Sequence, residues 1–395
     1  MSWTKLNESI NANSLMALDA NTCRDYGVKL GLNFPFHKVK FTCQALAMLA
    51  QLNDYDQQLV VKDIEQICAH PNAKHSIKHS INPLHRLWRT KYPFQNYHYL
   101  ITYILQDNKI NIEDILFDKQ LQGVKGTSSA ERTMLYEVKR VGSATYNKAK
   151  KKDEIDELTE AWSNAPQATT QVNTVHAAVN GMKNDLTKAA WLMGTHVDVA
   201  YPGGIKAYTL FHNPSDNFAL DAVECGFDNR QNQTSHNAQH LAAVLAQNSQ
   251  QGKKVKWVAH SQGAIIFCSA LEQYRIKYGK PLTTQELAIH GSGANLDRLK
   301  SAASNAGMTI VNIRNNPYDF VPNLMGHNDT SGSSLARSMS FMKIAIRGSV
   351  GGSPHTLPFL GLKTYATQLQ LSGDKNKATK VRKFIKTLPK GDSRL

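Results

Sequence analysis

Beyond residue 191 the chain alternates short apolar runs with longer stretches of helical texture, and this alternation constrains the fold more than any other feature. The runs are THVDVAY (195–201), AYTLFHN (207–213), KVKWVAH (254–260), ELAIHGS (286–292) and MTIVNIRN (308–315), with helical periodicity over 233–248, 263–277 and 295–306. Strands of this length separated by single helices build βαβ units, which give a mainly parallel sheet covered by helices on both faces. The expectation is an α/β domain. Ahead of it, TTQVNTVHAAVNGMKNDLTKAAWLMG (169–194) sets Val172, Val175, Val179, Met182, Leu186 and Ala189 at spacings of three and four, which reads as one amphipathic helix packed on that sheet.

The remaining segments carry less chemistry. Residues 1–125 read as a mostly helical N-terminal region of unassigned role, with segments near 41–52, 57–69 and 95–106 broken by Pro71, Pro83 and Pro93. Residues 126–167 read as a connector passing into an exposed helix that stops near Pro166, residues 168–370 as the α/β domain, and 371–395 as a basic C-terminal tail. A composition 41% hydrophobic and 19% charged excludes a disordered or fibrous chain. The net charge of +15 favours an anionic partner: a phospholipid surface, nucleic acid or an acidic protein.

Cys23, Cys43, Cys68, Cys225 and Cys268 are widely spaced and form no CxxC pair, so free thiols in a reducing compartment are expected rather than a disulfide framework or zinc knuckle. The polar start MSWTKLNESI has no apolar core of a Sec-type signal, and no run of about 18 apolar residues suggests a membrane span. His70, His75, His79 and His85 invite a metal reading. Pro71 and Pro83 bracket the segment and no carboxylate lies in it, so no metal and no cofactor is expected. The Asn/Gln-rich stretch at 228–240 reads as a loop or lid edge.

VKWVAHSQGAII (255–266) is where chemistry enters. A strand runs into a helix through His260-Ser261-Gln262-Gly263, the context of a nucleophile elbow. Such a corner needs small residues two before and two after the nucleophile, and Ala259 and Gly263 meet that need. It lifts Ser261 above the sheet and aims the N–H of Gln262 at a developing oxyanion. An unaided serine is a weak nucleophile, so an acid and a base should follow in that order at the ends of later strands. Asp319 lies just past MTIVNIRN in NPYDFVP, and His355 lies in the loop VGGSPHTLPFL. Asp297 and Asp329 are the rival acids and His327 the rival base; Asp297 reads as a first-turn helix residue. His260 reads as a packing or hydrogen-bonding neighbour. The second oxyanion donor is expected after AYTLFHN, from Asn213 with Ser215 behind it, because Pro214 has no N–H.

Together, YTLFHNPSDNF, VKWVAHSQGAIIF, IRNNPYDFVPNLMG and SPHTLP resemble the α/β-hydrolase superfamily in its lipase and esterase branch. They are similar in particular to bacterial lipase-like toxins delivered to rival cells by type VI and related secretion systems. The resemblance covers roughly residues 190–365 and does not reach the first 125. It implies an α/β-hydrolase fold and a Ser261–Asp319–His355 triad cutting carboxylic esters, commonly membrane phospholipids, at a peripheral membrane surface. It also implies cytoplasmic synthesis in a bacterium without a cleavable signal, export into target cells, a secretion-system component and a neutralising immunity protein as partners. Ala259 and Pro214 depart from common lipase patterns. Two alternatives stay open: a non-catalytic binding protein on the same scaffold, its basic surface engaging nucleic acid (the less favoured partner) or an acidic protein, and an acyltransferase, thioesterase or peptidase using the same triad.

Overall fold

A computed structural model describes residues 3–4, 21–23, 25, 39–72, 76–78, 84–89, 99–106, 109–118, 134–145, 152–182, 184–213, 236–345, 352–358 and 360–388. These form two compact units, Met1–Met134 with Ala168–Gln171, and Leu135–Gln167 with Val172–Leu395.

The first unit is α+β rather than mostly helical. Its strands β1 (Trp3–Thr4), β2 (Val39–Phe41), β3 (Ser76–Lys78), β4 (His85–Arg89), β5 (Tyr99–Gln106) and β6 (Lys109–Asp118) form a six-stranded sheet in the order β1-β6-β5-β4-β3, with β2 parallel to β6. Helices α1 (Cys43–Gln51) and α2 (Asp54–Ala69) stand where periodicity expects them, capped by the side chains of Thr42 and Asn53. Of the expected helix at 95–106, the described residues Tyr99–Gln106 are the strand β5 instead. Its Tyr-Leu-Ile-Thr-Tyr-Ile run is rich in aromatic and β-branched residues, and a short apolar run of that kind satisfies a buried strand as well as a helix. Ser76–Lys78 is a strand paired with β4, and His75 and His79 of the histidine-rich stretch lie outside the described residues. His85 faces Glu113 at 3.3 Å.

The second unit carries β7 (Met134–Lys139), α3 (Lys152–Glu160), β8 (His176–Val179), α4 (Leu186–Ala200), β9 (Ala207–His212), α5 (His236–Gln250), β10 (Val255–His260), α6 (Gln262–Lys277), β11 (Gln285–His290), α7 (Leu296–Asn305), β12 (Thr309–Arg314), α8 (Gly332–Ala345), α9 (Leu362–Leu371) and α10 (Lys375–Ile385). Its strands neighbour one another in the order β12-β11-β10-β8-β9-β7. The pairs β8–β9, β8–β10, β10–β11 and β11–β12 are all parallel, as the alternation requires. Between the sheet and its helices lies a core that includes Trp257, Phe267, Leu271, Tyr274 and Leu287. Burying each such side chain contributes about 1.5–3 kcal/mol.

Two elements differ from expectation. The helix read over 172–189 is two elements: the strand β8 and, after Asp185 caps its first turn, the helix α4. THVDVAY, expected as a strand, is the end of α4 and its C-cap Tyr201, and within it Thr195 turns its hydroxyl back to the carbonyl of Trp191 at 2.9 Å. Gly194 lets that helix meet Trp162, whose indole stands 2.3 Å from where a Cβ would sit. Within the expected tail stands the helix α10, capped by Asp374, with Ala378 and Val381 buried. The unit begins at Leu135, inside the segment expected as a connector.

The strand order creates the site. From β8 the chain moves to β9 on one side, and from β10 it moves to β11 on the other, so the sheet's winding reverses between neighbours β8 and β10. Open parallel sheets bind ligands at the carboxyl ends of strands beside such a reversal. Among the described residues no helix is long and apolar enough to cross a membrane.

Candidate active site

Ser261 stands at the carboxyl end of β10, where the chain turns into α6 with φ 54° and ψ −123°. Positive φ is costly for a residue bearing a Cβ and persists only where surrounding structure enforces it. The enforcement is visible on each side. The Ser261 N–H donates to the carbonyl of His290 at the end of β11 (3.3 Å), and its own carbonyl accepts from Gly293 N–H (3.0 Å). Gly263 allows the strand–helix approach: a Cβ there would lie 2.4 Å from the carbonyl oxygen of Val179. The Ser261 side chain makes no capping bond to α6. Ser261 is 3% exposed, and the N–H of Gln262 is one of the donors an α-helix leaves without an internal partner.

The loop after β8 lies directly against the serine. A Cβ on Gly181 would sit 2.6 Å from Ser261 Cβ and 3.2 Å from its Oγ. Asn180 ties this loop to the one after β9: its Oδ1 accepts from Asn213 N–H (2.8 Å), and its Nδ2 donates to the Asn213 carbonyl (2.8 Å) and the Gly181 carbonyl (2.9 Å). Asn213 therefore does not fill the role expected of it, since its backbone N–H is already donated. It positions instead, its Nδ2 donating to Gln262 Oε1 at 2.8 Å and its Oδ1 accepting from Asn237 at 3.1 Å. Sequence reasoning missed Asn180 and Gly181 because β8 reads as helix; an Asn-Gly pair closing a strand is the signal that was there. Pro214, Ser215 and most of the Asn/Gln-rich loop fall outside the described residues.

Asp319 and His355 meet. His355 Nδ1 donates to Asp319 Oδ2 at 2.7 Å, and Asp319 is 1% exposed, its other oxygen accepting from Val321 N–H at 3.1 Å. Burial by itself would lower the imidazole's pKa, but the charge and hydrogen bond of Asp319 outweigh it and raise the value above 6.5. The pair lies beside the residue preceding the serine: His260 Nε2 is 3.3 Å from the His355 carbonyl, and the two rings are 5.9 Å apart. The rivals stand elsewhere. Asp297 has a 94% exposed side chain in the first turn of α7, Asp329 accepts from Ser331 on the surface, and His327 is exposed with φ 51°.

No family model, curated protein or solved structure matches the chain. The geometry of the site is what speaks for its chemistry. Among the described residues no group of three or more His, Cys, Asp or Glu is arranged to hold a metal ion. Cys23, Cys43, Cys68 and Cys268 are in no disulfide; Cys225 lies outside the described residues.

Proposed function

We propose that the protein is a serine carboxylic-ester hydrolase of the α/β-hydrolase type, acting on lipid esters through an acyl-enzyme. The observation that carries this reading is the positive-φ Ser261 at a β–α corner, beside a sheet reversal, with His355 held by a buried Asp319 and its turn against His260, the residue before the serine.

In this mechanism Ser261 Oγ attacks the ester carbonyl while His355 Nε2 takes its proton, and Asp319 holds the Nδ1–H and stabilises the imidazolium that forms. The oxyanion receives the Gln262 N–H, at the positive end of the 16-residue helix α6, beside the loop that packs Gly181 against the serine. His355 returns the proton to the departing alcohol. Water then attacks the acyl-enzyme with His355 again as base, freeing the carboxylic acid and restoring Ser261. A charge of +15 suits an anionic phospholipid surface as the source of the ester, and export into rival bacteria accords with the resemblance of the motifs.

Replacing Ser261 by Ala should abolish both fatty-acid release from phospholipid vesicles and labelling by a fluorophosphonate probe, with the fold intact by circular dichroism. Hydrolysis that survives in this variant removes the reading. Acyl groups found on an added alcohol or thiol rather than as free acid would assign the second half-reaction to transfer.

A further inference from the structure

Behind the serine corner lies a stack of buried imidazoles that the mechanism above does not use. His196 comes from α4, His260 ends β10 and His290 ends β11, and each is at most 2% exposed. The His196 and His260 rings stack at 4.5 Å with planes 30° apart, and His196 Nδ1 lies 2.9 Å from His290 Nδ1. From this stack two nitrogens reach out to one turn. His196 Nε2 is 2.9 Å from the Thr356 carbonyl, and His260 Nε2 is 3.3 Å from the His355 carbonyl.

A carbonyl oxygen only accepts, so both Nε2 atoms carry the hydrogen. In a neutral imidazole that leaves Nδ1 bare. His196 Nδ1 then accepts from the Nδ1–H of His290, and the tautomers of the whole stack are decided. Burial and neighbouring histidines push His196 and His260 well below 6.5, burial foremost, and hold them neutral. The turn they grip is short and internally tied: Ser353 N–H donates to Thr356 Oγ1 (2.8 Å) and Leu357 N–H to the Ser353 carbonyl (2.7 Å). Asp319 orients the His355 ring from one side, and the stack holds its backbone from the other.

We propose that His196 and His260 are positioning residues for the general base: their Nε2–H groups clamp the consecutive carbonyls of Thr356 and His355 and thereby hold the base-bearing turn at the Ser261 corner. The inference rests on the ester-hydrolase reading for its kinetic consequence, while the clamp itself is a matter of geometry. Misplacing a catalytic group by about 1 Å can cost on the order of 100-fold in rate.

The test compares wild type with His196→Phe and His260→Phe, which keep a flat ring without the donor, and with His196→Gln and His260→Gln, which keep an N–H. The readouts are kcat and KM on a soluble short-chain nitrophenyl ester and the NMR titration of His355. The Phe variants should lose about 10- to 100-fold in kcat with KM nearly unchanged, and the His355 midpoint should fall from its raised value towards 6.5 as its bond to Asp319 loosens. The Gln variants should recover most of both. Folded Phe variants with wild-type kcat and an unmoved His355 midpoint overturn the proposal. If a Phe variant does not fold, wild type decides: imidazole nitrogen shifts that give His196 and His260 as Nε2–H tautomers support the clamp, and Nδ1–H tautomers refute it. Wild type that neither hydrolyses ester nor labels with fluorophosphonate ends the parent reading, and the titration then judges the clamp by itself.

Discussion

At the scale of single residues, the strongest demand falls on His355. A general base must be neutral to accept a proton, yet Asp319 raises its pKa above 6.5, so activity should climb with pH through that raised value and be lost below it. Asp319→Asn removes the charge and the charge-assisted hydrogen bond that outweigh burial and the nearby Lys188 charge. The acid limb of kcat/KM should then move below 6.5, while kcat at its plateau falls by about 10⁴-fold because the amide no longer selects the productive tautomer; a pH–rate profile of both proteins measures each effect. The corner at Ser261 and the meeting of Asp319 with His355 were legible in the sequence because each residue sits in a short, distinctive turn. Asn213 was misassigned for a reason no sequence pattern carries: its N–H is taken by Asn180, thirty-three positions earlier.

Elements were legible in proportion to their regularity. β9, β10, β11 and β12, with α5, α6 and α7, lie where alternation places them, within a few residues. The failures were β5, β8 and the second half of α4. β8 is four residues, too short for periodicity to separate strand from helix, and it becomes a strand because β9 and β10 pair with it on both sides. THVDVAY becomes helix because Val197 and its neighbours are buried on α4 between other elements, a packing decision that overrides β propensity. The β10–α6 junction supplies the test at this scale. A Cβ on Gly263 has backbone oxygens of Val179 and Asn180 at 2.4 and 2.9 Å, and backbone cannot swing aside as a side chain can. Gly263→Ala should destabilise the protein by about 1–3 kcal/mol in urea unfolding; a variant as stable as wild type would mean that strand and helix are not held this close.

Over the whole molecule, the two units have separate apolar cores, and the histidine stack gives the second an acid sensitivity. His196 and His260 lie well below 6.5, and His290 is pushed down to about 3 by burial, with His260 and Arg314 assisting. Unfolding releases these rings to water, where they bind protons below about 6.5. Stability is therefore full above that pH and declines as pH falls from 6.5 towards the folded values, with a slope approaching about 4 kcal/mol per pH unit for three protons. His355 acts oppositely, its contribution being complete below 6.5 and lost as pH rises through its raised value, so it does not soften the acid decline. The urea midpoint should drop steeply between pH 6.5 and 5; a midpoint constant over that range would show that the rings are protonated in the fold.

The order of apolar runs along the chain determined by itself that a parallel α/β sheet forms and that a serine stands on one of its corners, because strand and helix periods are local properties of side-chain spacing. Only the tertiary structure decided which loop faces that serine, which N–H groups are already spent and where three histidines from three elements converge on the turn that carries a fourth. Those outcomes depend on contacts between residues far apart in sequence, such as His196 and Thr356, and local spacing holds no record of them.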